Sequence, residues 1–325
     1  RVLAGHRLPG DTGVPVDPSM EVERLGALPG GVPVYFSRAA LEADGVVLVN
    51  RVKPHTDFHG PVESGLVKML AIGLGKREGA ATLHAYGVYG LRELMPAAAR
   101  LIVQKAPILL GVALVENAFH ATAAVRVLKP PDFERAEREE LLPLARRLMP
   151  RLPVDVLDVL VVDEMGKDIS GTGMDPNVTG RMRMPGAEEP ERPRVNILVV
   201  LGLSPGAGGN AFGIGLADVT TRRQVEAVEL EATYANAVTT GLLHKARIPV
   251  TAADEREAVA LAVHLASRTG RSPRLVRIRN TLELSVVEVS ENLLPELEGR
   301  TDLELLGPPR PMDPGTPLEG AGGGG

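Results

Sequence analysis

The chain has no cysteine and no tryptophan, and only 3% of its 325 residues are aromatic. The missing thiols exclude disulfides, thiolate zinc sites, protein-ligated iron–sulfur clusters and a cysteine nucleophile. Any chemistry must therefore come from His, Lys, carboxylates, hydroxyls or a borrowed cofactor. The seven histidines are the first candidates. With so few aromatics, the cores must be aliphatic, built from Ala, Val and Leu. No single charge dominates either: 36 Lys and Arg face 41 Asp and Glu. No Lys/Arg-dense run with interleaved aromatics occurs, which argues against nucleic acid and anionic membrane as partners. Long apolar runs are missing too, since Ile108–Val115 and Leu157–Val162 fall far short of the ~20 residues of a membrane-spanning helix. A soluble, cytoplasmic protein is expected. The chain starts at Arg1 with no basic-then-apolar leader behind it, and the lack of an initiator Met suggests a fragment of something longer.

What is present is an alternation of short apolar runs with helical patterns, the signature of an α/β architecture. Strands are expected at Val32–Phe36, Gly45–Val49, Ile108–Val115, Ala124–Leu128, Val156–Val162, Val195–Leu201, Arg274–Ile278 and Glu283–Val289. Helices are expected at Tyr89–Lys105, Asp132–Met149, Thr220–Leu243 and Asp254–Thr269. Hydrophobic content of 44% and a prior of ~150 residues per domain suggest two α/β domains. The boundary is set where the charged helix ending at Met149 meets Pro150 and Pro153. Residues 1–150 then form an N-terminal catalytic domain truncated at its start, and 151–306 a C-terminal α/β domain. Met182–Arg194, rich in Pro, Glu and Arg, is expected as an exposed loop or lid. Residues 307–325, mostly Pro and Gly, are expected to be disordered.

The densest group of chemically able residues runs from Arg51 to His84 and follows an apolar strand, at the strand end where open α/β sheets bind ligands. It holds His55, His59 and His84 with Lys53, Lys68 and Lys76. A lone loop histidine is more often hydrogen-bonded or solvated than catalytic, but this concentration argues for chemistry. Pro54 keeps His55 out of a regular helix. Gly65, Gly73, Gly75 and Gly79 permit close backbone approach to a bulky ligand, and N–H groups near Gly73–Lys76 suit a phosphate. Lys68, among Leu66, Val67, Met69 and Leu70, is either snorkelling or desolvated toward nucleophilicity. The spacing leaves both open. His55 and His59 have i,i+4 spacing for a divalent metal, but Gly60-Pro61 ends any helix and no third ligand follows. A second polar, glycine-rich loop, Asp163–Arg181, follows the strand Val156–Val162; Lys167 and Arg181 could clamp a carboxylate there and Asn177 could orient it. Ser204–Ala211 is only a weak echo of a dinucleotide fingerprint.

The order Pro54-His55, Lys68, Gly73-Leu74-Gly75-Lys76, His84 resembles the nickel-dependent lactate racemase family, over most of residues 20–290. The loop M-G-K-D-I-S-G-T-G-M-D-P-N-V-T-G-R also looks like a branch of that family. The resemblance implies two α/β domains with the active site in the cleft between them. It implies a nickel-pincer nucleotide, pyridinium-3-thioamide-5-thiocarboxylate mononucleotide, attached at Lys68, with Gly73, Gly75 and Lys76 in the cofactor-binding turn. His84 would coordinate nickel, His55 would be the acid or base on the substrate hydroxyl, and Lys167 would bind the substrate carboxylate. His59, Asn177 and Arg181 would complete a pocket for a small 2-hydroxy acid. The implied reaction is racemisation or epimerisation, by hydride removal to the cofactor and return to the other face. Cofactor-synthesis enzymes are the implied partners. Imidazole suits nickel, and with no Cys the sulfur ligands must come from the cofactor.

The stretch between His55 and Lys68 is longer than in the best-known members, with His59 and Glu63 inside it, so a reshaped pocket is expected. The family's second acid/base histidine belongs upstream of Arg1, and His6 does not replace it. His120, His244 and His264 are expected to be structural or solvated. Alternatives are a divalent-metal hydrolase or lyase using His55 and His59, a non-catalytic cofactor-binding homologue, and, with less support, a nicotinamide dehydrogenase at Ser204–Ala211.

Overall fold

The structure is a computed structural model and describes residues 15–186, 188–268 and 270–319. His6 lies outside them. The protein is α/β, with three sheets and interspersed helices among the described residues. It divides into two compact units. Unit 1 comprises the chain up to Lys53, Gly60–Leu114 and Ala124–Leu142; unit 2 comprises Pro54–His59, Val115–Ala123 and the chain from Pro143. No helix among the described residues is long and apolar enough to cross a membrane.

Unit 1 opens with an antiparallel hairpin of β1 (Val22–Ala27) and β2 (Pro33–Ser37). A three-stranded sheet follows, in the order β3 (Val46–Arg51), β4 (Ile108–Glu116), β5 (Thr122–Leu128), with β3 and β4 parallel. The crossover from β3 to β4 carries helices α1 (Lys76–His84) and α2 (Met95–Lys105). Leu66 and Phe133 press on the β4 backbone at Gly111, where a Cβ would come within 2.6 Å of Leu66 and 2.8 Å of Phe133. The helical run expected from Tyr89 starts at Gly87 instead and passes through a π-helical turn, Gly90–Leu94, before α2. The one expected from Asp132 likewise contains a π turn, Glu137–Leu141.

Unit 2 is built on a six-stranded sheet in the order β11-β10-β6-β7-β8-β9. Its strands are β6 (Val156–Val162), β7 (Arg194–Val200), β8 (Val219–Thr221), β9 (Val250–Ala252), β10 (Leu275–Ile278) and β11 (Val287–Val289). Only the β10–β11 pair is antiparallel. A parallel sheet is covered on both faces, so its strands are apolar throughout rather than alternating. In β6, Leu160 and Val162 enter one core layer while Val159 and Val161 enter the other. Helix α3 spans Leu230–Thr240. Helix α4 (Glu255–Ser267) covers the second layer with Ala258, Val259, Ala262 and Ala266, its first turn capped by Asp254, which accepts the Glu257 N–H at 2.8 Å.

Three expectations are corrected. The single helix over Thr220–Leu243 is instead strand β8, a short helix Arg222–Glu226, and α3. The Thr220 and Thr221 hydroxyls donate to the β7-side carbonyls of Val200 and Leu201, while Thr221 Oγ1 caps the following helix by accepting the Gln224 N–H. The strand over Glu283–Val289 shortens to Val287–Val289, because the Asn280 side chain accepts the Leu282 and Glu283 N–H groups and folds that stretch into a turn. Residues 307–319, expected to be disordered, lie against unit 2: Arg277 donates to the Asp313 and Thr316 carbonyls, and the Leu318 N–H to Asp163.

Candidate functional site

In unit 1 the chain leaves β3 and makes a narrow neck, where Lys53 and Ser64 exchange both backbone hydrogen bonds at 3.0 and 3.2 Å. Residues this closely paired point their side chains to one side. They line a cleft of about 260 Å3 with Asn50, Arg51, Lys68, Met69, Ile72 and Gly73. Lys68 ends a single helical turn, Leu66–Lys68, and is half-buried. That turn starts on Glu137, whose Oε1 accepts the Leu66 N–H in a short bond and the Val67 N–H at 3.1 Å. Burial outweighs those two donors and pushes the Glu137 carboxyl up to about 7.

Beyond Lys68 comes a π turn, Met69–Gly73, and then Lys76, which takes a positive φ of 53°. Gly73 is exposed and lines the cleft, whereas Gly75 is buried. A Cβ on Gly75 would lie 2.2 Å from the Ala71 carbonyl oxygen, and one on Gly79 2.9 Å from the same atom. The close approach inferred from these two glycines is thus to the chain's own backbone. His84 sits exposed at the end of α1 and is not one of the residues that line the cleft.

In unit 2 a second group assembles. His55 is buried, its ring 4.6 Å from that of Phe58, and its Nδ1 accepts the Asp57 N–H at 3.0 Å. Asn177 Nδ2 donates to the His55 carbonyl at 3.1 Å and to Asp175 Oδ1 at 2.9 Å. Asp175 also caps the short helix Pro176–Thr179 by accepting the Asn177 N–H. Asp57 Oδ1 accepts from Lys245 Nζ at 2.6 Å. Lys167 is half-buried; its Nζ donates to the Gly171 carbonyl at 2.5 Å and stands 5.4 Å from the Phe212 ring centre. Burial pulls the Lys167 ammonium below its ordinary value, and the Asp57 carboxylate opposes that pull. Three expected residues, His55, Asn177 and Lys167, therefore share a neighbourhood with Asp57.

Comparison with known proteins adds little. No family model matches the chain, and no curated protein matches it. Among solved structures, a Thermotoga maritima protein from a structural genomics consortium is 16% identical, covering 57% of this chain and 48% of that one, with a TM-score of 0.41. The chain thus spans about half the length of that protein. The lactate racemase apoprotein from Thermoanaerobacterium thermosaccharolyticum is 13% identical, covering 80% of this chain and 67% of that one, with a TM-score of 0.46. Neither likeness assigns a role to a residue of this chain.

Other expected residues lie elsewhere. Arg181 is buried and its guanidinium is engaged by the Leu216, Val195 and Asn196 carbonyls and by Asp218, which leaves it a structural cation rather than a clamp for substrate. His59 is exposed, and among the described residues no three His, Asp or Glu side chains gather as a metal site. Ser204–Ala211 opens no helix: Pro205–Ala207 is a single 3-10 turn, and the Ser204 hydroxyl donates to Asp168 at 2.5 Å, knitting two loops together. Sequence reasoning missed Asp57, Lys245 and Glu137. Asp57 lay inside the dense segment and could have been noticed. Nothing in the sequence marks Lys245 or Glu137 as buried.

Proposed function

We propose that the chain is a racemase or epimerase of small 2-hydroxy acids that uses a nickel-pincer nucleotide. The observation that carries this reading is the grouping of buried His55 with Asn177, Asp57 and half-buried Lys167. It offers a group able to exchange a proton with a hydroxyl and a cation for a carboxylate, in a setting screened by Phe58 and Phe212. The reading is supported in unit 1 by the cleft around Lys68. Its volume approaches the ~300 Å3 lower end of small-molecule sites. Arg51 and Lys53 on its wall suit a phosphate, and the Lys68 amine suits a covalent tether. His84 suits nickel by ligand chemistry alone. The bound nucleotide would supply the hydride acceptor. The chain's own residues would do the rest: Lys167 orients the carboxylate, and His55 holds the proton at the substrate's hydroxyl oxygen.

The test is to produce the protein alongside cofactor-synthesis enzymes, measure intact mass and nickel, and screen 2-hydroxy acids for stereoinversion. Wild type should gain the cofactor mass, Lys68→Ala should not, and His55→Gln should keep the mass while inverting at least about a hundredfold more slowly. Wild type without added mass, nickel or stereoinversion overturns the reading.

A further inference from the structure

Lys245 is a lysine with 0% side-chain exposure, carried on a single 3-10 turn, Leu243–Ala246. Its backbone is fastened at both ends, the N–H donating to the Leu242 carbonyl at 3.0 Å and the carbonyl accepting the Gly213 N–H at 2.9 Å. An ammonium taken out of water is costly unless it is paired. Its partner is Asp57, held at 2.6 Å, and Asp57 in turn donates its N–H to His55 Nδ1 at 3.0 Å. From the other side, Asn177 holds the His55 carbonyl at 3.1 Å. The turn that carries the histidine is therefore gripped from two elements distant in sequence. A backbone N–H can only donate, so Nδ1 must present its lone pair to Asp57, and a neutral ring then keeps its proton on Nε2.

We propose that Lys245, acting through Asp57, is a positioning residue that fixes His55 as the tautomer protonated on Nε2. To take a hydroxyl proton at Nε2, as the function proposed above asks of it, the ring has first to move its own proton to Nδ1 and surrender the Asp57 N–H. Only that proton transfer rests on the function proposed above; the tautomer and its positioning do not.

The lock is read by nuclear magnetic resonance on 15N-labelled protein without cofactor, at a pH well above the ~6.5 of free imidazole. Resonances of His55 are assigned by their loss in His55→Gln. Wild type should show protonated Nε2, unprotonated Nδ1, and a scalar coupling across the hydrogen bond between the Asp57 amide nitrogen and Nδ1. Lys245→Arg should keep that coupling and Lys245→Met should lose it. Should Lys245→Met alone fail to fold, the double change Lys245→Met with Asp57→Ala leaves no unpaired buried charge and should lose the coupling too. A proton on Nδ1 in wild type, or an undiminished coupling in either folded variant, overturns the proposal. Absence of cofactor mass bears only on the function above, so the two can fail separately.

Discussion

Glu137 is 1% exposed, and its second oxygen, Oε2, has no hydrogen-bond partner. Burial raises its carboxyl from an ordinary 4.5 to about 7, with Glu134 adding a smaller push in the same direction. A carboxyl raised on folding binds more protons in the folded chain than in the unfolded one. Its contribution is therefore full below about pH 4.5 and falls away as pH rises toward about 7, a loss on the order of 3 kcal/mol. Glu137→Gln keeps an oxygen for the Leu66 and Val67 N–H groups but cannot ionise. Urea unfolding at pH 5 and pH 8 should show a smaller difference in midpoint for the variant than for wild type. Equal differences would mean that Glu137 does not titrate in this way. Residue identities here were readable, but environments were not: Lys68 was open between two readings, and Glu137 drew no notice, because burial is a property of neighbours brought from far along the chain.

At the scale of elements, the π turn Met69–Gly73 sets how Lys68 and the residues after it are presented. π turns recur at functional sites because one extra residue re-aims the side chains that follow. Gly75 packs against this turn with no room for a methyl group, its obstacle being the Ala71 carbonyl of the backbone itself. At Gly73 the obstacle, 2.3 Å away, is the Met69 sulfur, which can swing aside. Thermal melts should therefore separate two similar substitutions. Gly75→Ala is expected to cost about 1–3 kcal/mol and Gly73→Ala clearly less. An equal cost would contradict the packing described. Strands with strong apolar runs, such as β6 and β7, were legible in the sequence. The three-residue β8 and β9 were not, since so few residues carry no periodicity and their pairing with β7 and with each other is what makes them strands.

Over the whole molecule, the segment after Gly307 shows composition giving way to tertiary contact. Arg277 is 1% exposed and bonds to both Asp163 oxygens, at 2.7 and 3.0 Å, and to the Asp313 and Thr316 carbonyls at 3.0 and 2.7 Å. Leu318 is buried and its N–H meets Asp163. Deleting residues 307–325 strips that guanidinium of two acceptors and uncovers Asp163, and should lower the melting temperature by about 3–10 °C. An unchanged melting temperature would show that the segment adds nothing to unit 2.

By itself the sequence determined the α/β class, the long strands β6 and β7 of unit 2, and the concentration of chemistry between Arg51 and His84. These follow from residue type and local spacing, which act over a few neighbours. Only the tertiary structure decided that His55 is gripped by Lys245 through Asp57 and by Asn177 at its carbonyl, that Gly75 faces backbone, and that Arg181 is engaged within unit 2. The contacts that grip His55 join residues more than a hundred positions apart, as with Asp57 and Lys245, and a hydrogen bond between them exists only once the chain has placed both ends.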